Sequence, residues 1–96
     1  MDVLVTYDIS TVTAEGARRL HQVAQTCEQY GVRVQYSVFE CRLSHAALER
    51  LVVALEDVID SQQDSVFVYR FDGWIADACR ALGRPRAREH EDPWIL

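Results

Sequence analysis

An aspartate at position 8 ends a run of strand-forming residues, MDVLVTYDIS. A carboxylate at the tip of a rigid element can hold a hard cation or move a proton. More often such an acid is a solvated strand end. The other chemistry-bearing types are dispersed. His21, His45 and His90 are isolated, and none stands at a sensible spacing from Ser37, so a serine nucleophile is not indicated. HEDP at 90–93 has metal-ligand types but reads as a charged loop. Arg80, Arg84, Arg86 and Arg88 form the one concentrated basic stretch, in which each cation could displace a counterion from a phosphate backbone. Glu89, Glu91 and Asp92 follow directly and offset it.

The element carrying Asp8 follows a two-residue period. Val3, Val5, Tyr7 and Ile9 point one way, and Asp2, Leu4, Thr6, Asp8 and Ser10 the other. The first set is a core face. The second is mixed and turns acidic at the strand end.

Thr13 is a plausible N-cap for a helix over about 14–30, with Glu15 in the first turn, where the helix dipole favours an acid. Ala17, Leu20, Ala24, Cys27 and Tyr30 form its apolar face, and Gly31 is the expected stop. In VRVQYSVFECRL the apolar alternation changes phase between Val38 and Phe39. One flat strand cannot reverse its buried face, so a bulge or hairpin near Tyr36–Phe39 is predicted, with strands over about 32–36 and 38–43. Ser44 caps a second helix whose stripe is Ala47, Leu48, Leu51, Val52, Leu55, Val58 and Ile59. DSQQDS is a polar loop, and VFVYRF is a strand. A short helix follows, ending at Gly83. Trp94, Ile95 and Leu96 suit an edge strand on a neighbouring sheet.

The order β-α-β-β-α-β predicts an α+β, ferredoxin-like sheet with both helices on one face. The open face would carry Leu4, Thr6 and Asp8. A sheet-to-sheet homodimer would cover it and bring two copies of Asp8 together across a two-fold axis.

Composition sets the bounds. The chain has 96 residues, 49% hydrophobic and 26% charged, which suits one soluble globular domain of about 1–83 with a tail over 84–96. No apolar run approaches a membrane span of roughly 18 residues, and no signal-type segment opens the chain. Cys27, Cys41 and Cys79 are odd in number and lack a CxxC pair, which favours reduced thiols in a cytoplasm over a disulfide or zinc site. All ten basic residues are arginine, and the net charge of −5 argues against bulk nucleic-acid affinity.

VLVTYDIS, the arginines Arg18 and Arg19, and YGVRVQYSVFECRLS resemble the Cas-two family of CRISPR-associated proteins. The likeness covers residues 1 to about 83. The YDI strand end is a weak signal alone, whereas GxRVQxSVFE at its spacing from Asp8 is a strong one.

The resemblance implies a ferredoxin-like protomer, a sheet-to-sheet dimer and a last strand added to the neighbouring protomer. It implies a Mg²⁺ or Mn²⁺ ion held by paired Asp8 residues, and metal-dependent endonuclease activity on single-stranded RNA or duplex DNA. It equally implies a non-catalytic role, in which the dimer bridges CRISPR integrase subunits on spacer DNA. A toxin-like ribonuclease and a small-ligand-binding dimer are further alternatives. By the same likeness a helix-one arginine, Arg18 or Arg19, and Arg33 lie near nucleic acid, and Ser37 and Phe39 near the dimer cleft. Tyr7, Arg84 and Arg86 complete the candidate interface. By alternation Arg33 shares a polar face with Gln35 and Ser37, Tyr7 faces the helices, and Phe39 packs first.

Overall fold

The computed structural model describes residues 1–83 of the chain. The elements are β1 (Asp2–Asp8), α1 (Ala14–Glu28), β2 (Gly31–Gln35), β3 (Val38–Arg42), α2 (His45–Val58), β4 (Ser65–Phe71) and a short α3 (Ile75–Ala78). The four strands form one sheet in the order β2-β3-β1-β4, and every neighbouring pair is antiparallel. This is the expected α+β, ferredoxin-like arrangement. No helix among the described residues is long and apolar enough to cross a membrane.

Alternation in β1 sets the core. Val3, Val5, Tyr7 and Ile9 are buried, and they pack with Phe39 and Cys41 of β3, Val23 and Cys27 of α1, and Leu48, Leu51 and Leu55 of α2. Both helices therefore cover one face. On the other face Leu4 and Thr6 lie in register with Tyr69 and Phe67, which remain half-exposed or more. Asp2 shares that face by register but is buried, because the start of α3 folds over it.

Capping follows the sequence reading. Thr13 accepts a hydrogen bond from the Gly16 amide at 3.1 Å, and Ser44 accepts one from the Ala47 amide at 3.1 Å. The face of α1 follows it in its second half, where Ala24 and Cys27 are buried and Tyr30 packs against the core, but not in its first. Val23, Ala24 and Cys27 are buried, while Ala17 and Leu20 are exposed. The buried stripe is turned away from Leu20 because Gly16 brings the first turn against the backbone of Ser10 and Thr11.

Helix α1 also ends two residues early. Gly31 is the first residue of β2 rather than a helix stop, at a point where a Cβ would strike Cys41 Sγ and the Glu40 carbonyl. Beyond β4 only four residues are helical, so the helix expected to reach Gly83 is shorter than its pattern suggests. The basic residues Arg84 and Arg86, the HEDP segment and the terminal Trp94, Ile95 and Leu96 lie outside the described residues.

Candidate metal and nucleic-acid site

Asp8 is the last residue of β1. It is exposed, paired in register with Ser65 of β4, and on the sheet face the helices leave open. Among the described residues no hydrogen bond or ion pair engages its carboxylate. Ile9 turns back into the core immediately after it and is 6% exposed, so the strand end is anchored rather than frayed.

The turn between β2 and β3 is fastened to the residue before Asp8. The Tyr7 amide donates to the Ser37 carbonyl at 3.1 Å, and the Tyr7 hydroxyl donates to the Tyr36 carbonyl at 3.3 Å. Burial pushes the Tyr7 hydroxyl above its ordinary pKa, with the Arg33 guanidinium opposing this in part. The phenol therefore stays protonated at neutral pH and remains a donor. Tyr36 itself projects from the turn, 93% exposed.

Arg33 stands opposite Phe39, with its guanidinium 5.2 Å from the ring centroid. The sequence reading places Arg33 and Gln35 on one face. The structure separates them, because a bulge between the two shifts the register and sets Gln35 opposite Val38. Tyr7, Leu20, His21, Arg33, Tyr36 and Ser37 border a cleft of about 320 Å³ between α1 and this hairpin. Asp8 stands at the same end of the sheet as this cleft but on the opposite face of β1. Phe39 is fully buried and has no surface to offer a nucleic acid, so its part is to pack beneath Arg33.

The two helix-one arginines divide. Arg18 is exposed, with only a surface ion pair at 3.3 Å to Glu15 among the described residues, an arrangement that adds little stability and is readily exchanged. Arg19 is bonded to Asp64, its Nε 2.8 Å from Oδ2. Asp64 was hidden in the sequence as part of a polar loop. Its one signal was an acid directly preceding a strand.

A hard divalent cation takes oxygen ligands, keeps several waters and often needs only one or two carboxylates. Among the described residues no group of three or more His, Cys, Asp or Glu could hold a metal ion. Asp8 is a carboxylate at this end that no hydrogen bond or ion pair engages among the described residues. That donor suits Mg²⁺ or Mn²⁺ rather than a metal seeking nitrogen and sulfur, and a second copy would have to supply another.

Comparison with known proteins decides the family. The sequence profile described as CRISPR associated protein Cas2 matches residues 1–77. The chain belongs to the Cas2 family. It is 39% identical over 96 residues to the CRISPR-associated endonuclease Cas2 of Halalkalibacterium halodurans, covering 100% of both chains. It is 49% identical over 70 residues to the CRISPR-associated endoribonuclease Cas2 1 of Moorella thermoacetica, covering 73% of each. Among solved structures, Streptococcus pyogenes Cas2 at pH 6.5 superposes with a TM-score of 0.78 and 41% identity, over 86% of this chain and 100% of that one. The expected family and its fold are therefore established for this Cas2 chain.

Proposed function

We propose that this Cas2 chain is a divalent-metal-dependent nuclease of CRISPR adaptation, cleaving phosphodiester bonds in single-stranded RNA or duplex DNA. The observation that carries the reading is Asp8: an exposed carboxylate with no partner among the described residues, at the end of an anchored strand and on an uncovered sheet face. Relatives named endonuclease and endoribonuclease support it.

In this reading two copies meet through their open sheet faces, and their Asp8 carboxylates would hold Mg²⁺ or Mn²⁺ at the nucleic acid. The bound ion would supply charge neutralisation and an activated water. The chain's own residues bind and orient. Arg18 and Arg33 are candidate cations for phosphate contacts among the described residues, with Ser37 and the Tyr7-fastened hairpin turn beside Arg33. Phe39 supports the Arg33 guanidinium from beneath.

A second reading also has an observation in its favour. Asp8 and the Arg33 cleft stand on opposite faces of β1, an arrangement that suits a dimer bridging CRISPR integrase subunits along DNA without cutting it. Cleavage of single-stranded RNA and duplex DNA, with and without Mg²⁺ or Mn²⁺, separates the two. Metal-dependent cleavage lost in Asp8→Asn is the expected result. Wild-type cleavage no higher than that of the mutant, across both metals, would leave the bridging role.

A further inference from the structure

The backbone that carries Asp8 is held by Asp64, which stands just before β4 with its side chain fully screened from solvent. Oδ1 of Asp64 accepts the Ser10 amide at 3.0 Å, and Oδ2 accepts the Asp60 amide at 2.8 Å. Arg19 completes the set, its Nε 2.8 Å from Oδ2 and its Nη2 3.4 Å from Oδ1. Ser10 is gripped from its other side as well, since a Cβ on Gly16 would run into the Ser10 carbonyl oxygen.

Two constraints therefore converge on Asp8. Its own register partner is Ser65, the residue next to Asp64. The chain two residues beyond it is tied to Asp64 itself. One ion pair between α1 and the β4 entry thus fixes the acid from its side and from its exit.

We infer that Arg19 and Asp64 are positioning residues for Asp8, setting the direction in which its carboxylate meets a cation. The role rests on the proposed function, in which Asp8 is the metal ligand. It also divides the two helix-one arginines: Arg19 orients the site from within the protein, and Arg18 is left to the substrate. Groups that orient a metal ligand usually govern affinity without touching the ion.

Mn²⁺ is titrated into the full chain and followed by its free paramagnetic resonance signal, for the wild type and for Asp8→Asn, Asp64→Asn, Arg19→Gln and Arg19→Lys. Amide exchange at Ser10 is read by NMR on the same samples. Leu51→Ala, a core substitution away from the site, reports what lowered stability does alone. The expected result is loss of Mn²⁺ binding in Asp8→Asn and affinity about tenfold weaker in Arg19→Gln. Ser10 exchange should quicken in Arg19→Gln, and affinity should recover in part in Arg19→Lys, which keeps the charge but not the fork. Leu51→Ala should melt earlier and bind Mn²⁺ as the wild type does.

If Asp64→Asn fails to fold, Arg19→Gln decides, because it leaves the carboxylate and its backbone donors in place. A folded Arg19→Gln with wild-type affinity overturns the positioning role. Equal weakening in Leu51→Ala also overturns it, by reducing the effect to stability. Unchanged binding in Asp8→Asn overturns the Asp8 reading and the role with it. That outcome is distinguishable, because failure of positioning alone leaves Asp8→Asn defective.

Discussion

The Ile75 amide donates to Asp2 Oδ2 at 2.8 Å across 73 positions of sequence, joining the first strand to the last described helix. Oδ1 of the same carboxylate accepts from Arg42 Nε at 3.1 Å, and the Arg42 guanidinium lies 4.1 Å from the Trp74 ring centroid. Asp2 is thus a buried clasp over one end of the open sheet face, while Asp8 at the other end has no partner among the described residues. Replacing Asp2 with alanine leaves the Ile75 amide buried without its acceptor, at a cost of about 1–3 kcal/mol. Urea unfolding of Asp2→Ala should show that loss, and limited proteolysis should cut sooner around residues 74–78. An unchanged midpoint would mean that the clasp adds nothing.

Asp64 gives stability a defined pH dependence. The Arg19 guanidinium holds its carboxyl below the usual carboxylate range, the Asp60 and Ser10 amides add to this, and burial opposes it. A folded pKa below the unfolded one makes the contribution complete above the unfolded value of about 3.9. It is then lost as pH falls through the folded value. The difference in unfolding free energy between wild type and Asp64→Asn should be flat from about pH 7 to 5 and shrink below about pH 4. Thermal melts of both proteins across that range would show it. A gap that persists unchanged at the acid end would mean that Asp64 is not held ionised by Arg19.

Short periods were legible and long-range partnerships were not. Alternation in β1 named Val3, Val5, Tyr7 and Ile9 as core, and Thr13 and Ser44 marked both helix starts. These signals act within a few residues. On α1 the pattern finds Ala24, Cys27 and Tyr30 but not the exposure of Ala17 and Leu20, because Gly16, with no side chain to read, lets the first turn approach Ser10. Arg33 reads as sharing a face with Gln35 because the alternation of Val32, Val34 and Tyr36 runs on unbroken past the bulge between them. Nothing in the sequence marks Asp2 or Asp64 as a buried acid, since their donors, Ile75 and Arg19, lie 73 and 45 positions away. Asp8 was legible as a candidate because it ends a strand; the network that orients it was not.

The thiols provide a test of core integrity. Burial pushes Cys27 and Cys41 up to about 12, whereas Cys79 is exposed. The buried pair is both protonated and shielded near pH 8, and the thiolate is the reactive form. A maleimide or disulfide reagent should label Cys79 alone in the native protein and all three cysteines after denaturation. Fast native labelling of Cys27 or Cys41 would show that α1 opens from the sheet readily.

Phe67 and Tyr69 test the proposed dimer. They are 60% and 50% exposed, with ring centroids 6.4 Å apart, on β4 positions in register with Thr6 and Leu4. A sheet face turned to water is normally polar, and an aromatic pair there gains by being covered. In a two-fold dimer each substitution acts twice, so Phe67→Asp would set two new carboxylates into the same contact. Phe67 is outside the hydrophobic core cluster, so the variant should keep its circular dichroism. Sedimentation velocity should then report a monomer, while Val53→Asp, on exposed α2 surface behind the sheet, should keep the wild-type mass. A Phe67→Asp protein that sediments as the wild type does would remove this face from the interface. It would also remove the two-fold pairing of Asp8 that the nuclease reading requires.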